Sequence, residues 1–116
     1  MGNVKKTEIL REHTSWDGAV LPDYPSGKPE IVCVRHEFPA GERLPMHHHP
    51  VINFGLVEKG ELTVISVDGR EKVIKAGEPL VEMVDTVHYG ENRGTETVIL
   101  TMFYLTSGSE PVSIAD

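Results

Sequence analysis

Short runs of β-branched and other apolar residues, separated by glycine and proline turns, fill the chain from residue 32 to residue 105. Runs bounded in this way are typical of antiparallel barrels and sandwiches, and no helical periodicity is present there. The pattern therefore predicts an all-β fold. The predicted strands are Ile31–Phe38, Val51–Val57, Glu61–Val67, Arg70–Lys75, Leu80–Val84 and Glu96–Leu105.

The turns between these strands carry signals of their own. Asp68-Gly69 is the strongest, because both central positions of a type I′ turn need positive φ. Pro39-Ala40-Gly41 and Ala76-Gly77-Glu78-Pro79 end two other strands. We therefore expect the strands to follow one another as a series of hairpins.

The ends of the chain differ from this central region. Residues 1–30 are irregular and predict an N-terminal arm, in which Lys5–His13 is the one stretch compatible with a helix. Trp16 in this arm either covers the open end of its own barrel or reaches a second subunit. Because small jelly rolls leave sheet edges that need cover, we favour the second reading and expect a homodimer. Residues 31–107 then form the barrel domain and residues 108–116 a polar tail.

The length of the chain limits the number of domains, and its net charge limits the classes of partner that it can bind. A chain of 116 residues accommodates one domain. With 11 Lys+Arg against 18 Asp+Glu, its formal charge of −7 repels nucleic acid and anionic membranes. The longest apolar runs fall far short of the roughly 20 residues of a membrane helix, and no apolar segment follows the start. We expect a cytoplasmic protein that contacts neither nucleic acid nor a membrane.

The single cysteine, Cys33, lies within an apolar run. A thiol in such a run usually behaves as a small buried hydrophobe. The sequence therefore predicts neither a disulfide framework nor a catalytic thiol.

Three consecutive histidines are the clearest chemical feature. In an extended segment, His47 and His49 project from the same face and can chelate one ion, whereas His48 points outward into solvent. His88 follows a strand and a turn-like segment, so an antiparallel barrel can bring it opposite as a third ligand. The rival interpretation is an exposed histidine loop that holds no metal in the cell.

Two longer motifs contain these histidines. The stretch from Gly41 to Gly60 resembles the first motif of the cupins, G-x5-H-x-H-x3-4-E-x6-G, with every spacing kept. The stretch from Gly77 to Asn92 is similar to the second, G-x5-P-x-G-x2-H-x3-N. Met83 and Asp85 replace its proline and second glycine, and Gly41, Gly60, Gly77 and Asn92 match positions that shape turns.

The resemblance implies a double-stranded β-helix, the cupin jelly-roll barrel, with a divalent metal near its mouth and His47, His49 and His88 as ligands. The ion can be Fe, Zn, Ni or Mn, since imidazole suits several metals. Asn53 stands where the family has a glutamate ligand, which leaves positions free for water or substrate. Asn53 itself either hydrogen-bonds such a ligand or ties strands together.

Four further residues are candidates for the site. Glu82 faces inward if its strand alternates, as a fourth ligand, a general base or an orienter of a histidine; otherwise it is a surface carboxylate. Tyr89, as a catalytic phenol, and Tyr104, as a substrate-binding one, would line the cavity, or else only pack. His36 either faces a substrate or is a core histidine with a satisfied ring.

Two classes of function remain open from the sequence. The first is a metal-dependent enzyme, either an oxygenase resembling the three-histidine cupin dioxygenases or an isomerase or lyase. The second is a non-catalytic cupin module that binds or senses a small molecule. The fold alone does not decide between them.

Overall fold

The computed structural model describes residues 2–116, which form nine strands and no helix. The all-β prediction is therefore confirmed. No helix in this part of the chain is long and apolar enough to cross a lipid bilayer. The strands are β1 (Glu30–Phe38), β2 (His47–His48), β3 (Asn53–Lys59), β4 (Glu61–Ser66), β5 (Glu71–Lys75), β6 (Pro79–Val81), β7 (His88–Glu91), β8 (Val98–Thr106) and β9 (Ile114–Ala115).

Two antiparallel sheets face each other around one core. The first has the order β1-β8-β3-β6 and the second the order β5-β4-β7-β2-β9. Strand β8 alternates strictly between buried and half-buried residues, as expected for a strand with one face on the core. Its inward side chains belong to the same buried apolar cluster as Leu62 and Val64 of β4 in the other sheet. The buried apolar cluster comprises Phe38, Val51, Val57, Leu62, Val64, Ile74, Leu80, Val98, Leu100, Met102 and Tyr104.

The turns that carry motif residues have the expected geometry. Gly60 has a φ of 77°, and a Cβ there would lie 2.9 Å from the carbonyl oxygen of Thr97. The side-chain amide of Asn92 donates to the carbonyl oxygens of Phe38 and Glu96. Both residues therefore shape turns at which a larger or apolar side chain would be costly.

Three strands are absent from the sequence prediction. Strands β2 and β9 have two residues each, too few to show any alternation. Strand β7 reads His-Tyr-Gly-Glu and lacks β-branched residues, yet it pairs with both β4 and β2. Its structure is imposed by these neighbours rather than by its own propensity.

The N-terminal arm also departs from expectation. Residues 5–13 form no helix; they have no regular secondary structure and are exposed. After them, a tight turn joined by a bridge between Thr14 and Val20 places Trp16 against the barrel of its own chain. The backbone N–H of Trp16 donates to the carbonyl oxygen of Val81 in β6 at 3.0 Å. The preference for Trp16 reaching a second subunit is therefore wrong.

The expectation that Cys33 is buried is also wrong. Its side chain is exposed. Along β1 the inward positions are Val32, Val34, His36 and Phe38, so Cys33 falls on the outer face. The apolar run around it reflects a sheet with apolar residues on both faces.

Candidate metal centre

Strands β2 and β7 bring three histidine rings together between the sheets. His47 and His88 are direct partners in the β2–β7 register, and His49 follows β2 immediately. The ring centroid of His47 lies 4.6 Å from that of His88 and 4.8 Å from that of His49, and the centroids of His49 and His88 are 5.0 Å apart. One potential ligand atom from each residue lies within 4.8 Å of the other two. This is a spacing at which one ion can contact all three.

Backbone carbonyl oxygens fix the orientation of each ring. The Nδ1 atoms of His47, His49 and His88 lie 2.7, 2.8 and 2.7 Å from the carbonyl oxygens of Pro45, Val112 and Thr86. Because a carbonyl oxygen only accepts, each Nδ1 must carry the proton and donate it. In its neutral form, each ring then presents an unprotonated Nε2 to the centre.

Burial favours the neutral form of two of the rings, those of His49 and His47. His49 is 5% exposed, and burial lowers its pKa to about 3, with the nearby His88 and His47 acting in the same direction against the hydrogen bond to Val112. Burial also lowers the pKa of His47, partly opposed by its hydrogen bond to Pro45. Desolvation disfavours the imidazolium form in both cases. A neutral imidazole is the form that binds metals.

Glu82 faces the same centre, directly after β6. It is 5% exposed, and its Oε2 lies 3.6 Å from Nε2 of His88. Its Oε1 accepts hydrogen bonds from the indole N–H of Trp16 at 2.8 Å and the backbone N–H of Met83 at 3.0 Å. The surface alternative for Glu82 is thereby excluded. Since His88 uses Nδ1 to bond Thr86, Glu82 does not orient that ring through its outer nitrogen.

Of the three substrate-binding candidates, the structure brings Tyr104 to the cavity. Its ring centroid lies 5.4 Å from that of His49. Burial and the negative charge of Glu82 raise its pKa to about 12, so the phenol keeps its proton. Asn53 is fully buried but does not line the cavity; its amide donates to the carbonyl oxygen of Val51 and its Oδ1 has no partner.

His36 and Tyr89 lie outside the cluster. His36 points inward from β1, but its Nδ1 is buried without a hydrogen-bond partner, so the expected satisfied ring is not observed. Tyr89 is on the opposite face of β7 from His88, with the guanidinium of Arg43 5.3 Å from its ring centroid. The structure therefore does not place Tyr89 where it could act with the histidines.

The space beside the histidines is small. The cavity measures about 30 Å³, close to the volume of one water molecule in the liquid. Apart from the histidines, Glu82 and Tyr104, its lining residues are apolar and form its floor. The lining residues other than the histidines are Phe38, Leu44, Leu62, Val64, Glu82, Gly90, Leu100, Met102 and Tyr104. His47, which is half-buried, also borders a surface depression of about 270 Å³.

Sequence reasoning missed the contribution of the C-terminal segment. Strand β9 pairs with β2, so part of the predicted polar tail runs alongside the histidine strand. Val112 supplies the carbonyl oxygen that orients His49. The side chain of Asp116 lies 2.6 Å from Nδ1 of His48, which points away from the centre. Backbone carbonyls contribute through position alone, and no side-chain signal could have revealed Val112.

Removal of residues 112–116 should therefore weaken metal binding. Without Val112, Nδ1 of His49 loses its acceptor and the ring loses its fixed tautomer. Loss of an outer hydrogen-bond partner typically costs about 10- to 100-fold in metal affinity. Competition against a chelator would measure the change, and Asp116→Asn, which leaves Val112 in place, should have little effect. Unchanged affinity in the shortened chain would contradict this role for the segment.

The fold also accommodates Met83 and Asp85, the two residues that depart from the second motif. Asp85 replaces a glycine and adopts a φ of 62°, a region that aspartate tolerates better than most residues. Its backbone N–H donates to the carbonyl oxygen of His49 at 2.8 Å. Met83 is buried, 1% exposed. The turn before His88 is thus tied directly to the end of β2.

Comparisons with solved structures agree with this architecture. Oxalate oxidase in complex with the substrate analogue glycolate is 27% identical, with a TM-score of 0.60, over 73% of this chain and 45% of its own. A protein with a double-stranded β-helix domain from Klebsiella pneumoniae is 23% identical, with a TM-score of 0.63, over 92% of this chain and 99% of its own. Oxalate decarboxylase from Lactobacillus farciminis in its formate complex is 21% identical, with a TM-score of 0.62, over 73% and 26%.

The family assignment rests on the sequence as well as on the fold. This chain spans less than half of the oxalate oxidase chain. No curated protein matches it significantly. The cupin domain family matches residues 34–104, which include all three histidines of the centre. The chain belongs to the cupin domain family.

Proposed function

We propose that this cupin holds one divalent metal ion on His47, His49 and His88 and acts as an oxidoreductase on a small molecule that binds beside the ion. The observation that carries the proposal is the convergence of three Nε2 atoms whose rings are fixed by backbone carbonyls. Across residues 2–116, no hydrogen bond to another protein group engages these Nε2 atoms. Such a donor set suits a divalent ion with imidazole ligands.

Three neutral ligands leave the ion its full charge and free positions. When bound, it supplies a Lewis acid or, as a redox-active metal such as Fe(II), a partner for dioxygen. Asn53 places no carboxylate there, and the nearest negative charge is that of Glu82. The proposed substrate is therefore a small oxygen chelator such as a carboxylate. The likeness to the glycolate-bound oxalate oxidase supports this class.

The residues around the ion have distinct proposed roles. Oε2 of Glu82 accepts a proton or hydrogen bond from the bound molecule, while the protonated Tyr104 donates one. The apolar floor excludes water, which strengthens these interactions. Because the inner cavity is so small, the substrate enters from the side of His47, where the surface depression lies.

Oxygen uptake by the loaded protein tests this proposal. Protein loaded anaerobically with Fe(II) or Mn(II) should consume dioxygen with one member of a panel of small carboxylates, diketones, catechols and thiols. The uptake should disappear in the His88→Ala variant. Ligand-dependent shifts in melting temperature without turnover by any metal form would instead favour a binding or sensing module.

We further propose that the arm contributes to a homodimer. Five of the nine exposed large apolar residues of the described chain lie within the arm, although Trp16 itself docks on its own barrel. Val20 and Tyr24, each more than 80% exposed, also line a groove of about 730 Å³ against the outer face of β3. A second copy could cover both surfaces symmetrically. Light scattering should give twice the chain mass, and a monomer at micromolar concentration would contradict this.

A further inference from the structure

The N-terminal arm contacts the metal centre through one side chain. Trp16 lies in a tight turn in which the N–H of Ser15 donates to the carbonyl oxygen of Ala19, and its own backbone bonds Val81. From this anchored position, the indole N–H reaches Oε1 of Glu82, 66 residues away in sequence. The arm therefore contacts Glu82, the acidic residue beside His88.

The contact determines which carboxylate oxygen is free. Two N–H donors, from Trp16 and Met83, occupy Oε1 of Glu82. Oε2 accepts no hydrogen bond within the described chain and lies 3.6 Å from Nε2 of His88. A carboxylate held at one oxygen by two donors presents the other in a defined direction. That direction is toward His88, beside the cavity that Glu82 lines together with the three histidines.

Glu82 has little else to hold its side chain. Strand β6 ends at Val81, so Glu82 begins the connection to β7, fixed there by its backbone N–H to the carbonyl oxygen of Asn53. A glutamate side chain has several rotatable bonds and loses considerable entropy when it is ordered. Without the indole, Met83 would be the one remaining donor to Oε1. The direction of Oε2 would then be poorly defined.

We propose that Trp16 is a positioning residue for Glu82, so that the N-terminal arm completes the metal centre of the barrel. This inference rests on the proposed metal-binding function. Trp16 touches neither the ion nor the substrate; it acts by aiming Oε2 of Glu82. A negative charge fixed beside a cation raises the affinity for that cation, and the effect falls as the charge becomes mobile. Undocking of the arm should therefore weaken the centre while leaving the three histidines in place.

A double-mutant cycle with Co(II) as the probe tests this role. Trp16→Phe removes the indole N–H and keeps an aromatic ring, and Glu82→Gln removes the charge. We expect each variant to bind Co(II) about 10-fold or more weakly than wild type, with a changed visible absorption spectrum. The double variant should match Glu82→Gln within about twofold, since Trp16 has nothing left to aim. Thr7→Ser, a small change at an exposed position of the same arm outside the proposed dimer groove, is the matched control and should bind as wild type.

The outcomes separate the inference from the proposed function. If wild type binds Co(II) and Trp16→Phe binds it equally well, or if Trp16→Phe weakens binding as much in the Glu82→Gln background, the positioning role is overturned and the metal site stands. If wild type binds no Co(II), the proposed function fails and the inference fails with it. Far-UV circular dichroism should show the same folded barrel in every variant.

A second readout needs no metal. Trp16 is the single tryptophan of the chain, so its emission reports the docking of the indole. Glu82→Ala should shift the emission maximum to longer wavelength and raise the accessibility of the indole to acrylamide, because the arm loses its acceptor. An unchanged emission spectrum and unchanged quenching would show that the indole N–H does not engage Glu82 in solution, and would overturn the proposal.

Discussion

Replacing His88 with alanine should reduce the binding of a divalent ion below detection. His88 is 1% exposed and directly opposite His47, so its removal leaves two imidazoles on one edge of the cavity. The loss should exceed the roughly 10- to 100-fold typical of an outer hydrogen-bond partner, because a ligand itself is removed. His47→Ala and His49→Ala should act similarly. Elemental analysis of protein purified without a histidine tag, together with chelator competition, would measure the effect.

His48 offers a control from the same triplet. Its ring points away from the centre and contacts Asp116 instead, so His48→Ala should keep nearly full metal occupancy. Since a buried histidine replaced by alanine leaves a cavity, His88→Gln should be compared, and both variants checked for an intact barrel by thermal melting. Equal loss of metal in the His48 and His88 variants would contradict the three-histidine centre.

Six of the nine strands could be predicted, because they are apolar or β-branched runs bounded by turn residues. The predicted series of hairpins is wrong, since β4 and β5 are the one pair of consecutive strands that lie side by side among those described. The β1 and β8 segments carry apolar residues at every second position, and turn residues such as Asp68-Gly69 separate the middle strands. Alternation with period two and the turn-forming residues are local properties, visible without knowledge of partners. The type I′ turn predicted at Asp68-Gly69 is nevertheless wrong, because Gly69 has a positive φ and Asp68 does not. The motif spacings around the histidines are equally local.

What could not be predicted depends on pairing across the chain. Strand β7 is held by its neighbours β4 and β2, and β9 adds two residues whose sequence carries no strand signal. The contacts of Trp16 with Glu82 and of Val112 with His49 join residues more than 60 positions apart. No periodicity links such positions. The outer shell of the candidate centre therefore emerges only from the three-dimensional arrangement.

The orientation of Tyr89 in β7 is a further feature that the sequence analysis did not predict. Tyr89 follows His88 directly and was a candidate to line the same cavity. In a strand, neighbours point to opposite faces, so the burial of His88 sends Tyr89 outward to Arg43. Glu82, six positions earlier and beyond β6, reaches the centre instead.

Replacing Gly55 with alanine should strongly lower the stability of the fold. Gly55 lies in the middle of β3, opposite Met102 of β8. A Cβ built there would collide with the backbone carbonyl oxygen of Thr101 and lie 2.5 Å from Sδ of Met102. The thioether can move, but the carbonyl belongs to the β3–β8 ladder and cannot yield without separating the strands.

We expect Gly55→Ala to lower the free energy of unfolding by about 3 kcal/mol, at the upper end of overpacking effects. For a chain of this size, that corresponds to a fall in melting temperature of about 10 °C or more. Gly94→Ala is the matched control, because a Cβ there would meet only Oδ1 of Asn92 at an ordinary 3.5 Å and its φ is not positive. Chemical denaturation of both variants would measure the difference.

The same substitution also connects packing to the metal centre. Met102 forms part of the cavity floor, so a methyl group that displaces its sulfur also changes the surface beneath the three histidines. Gly55→Ala should therefore lower metal affinity as well as stability, whereas Gly94→Ala should change neither. Equal stability of the two variants would contradict this prediction. It would show that β3 and β8 can move apart at Gly55 at little cost in free energy.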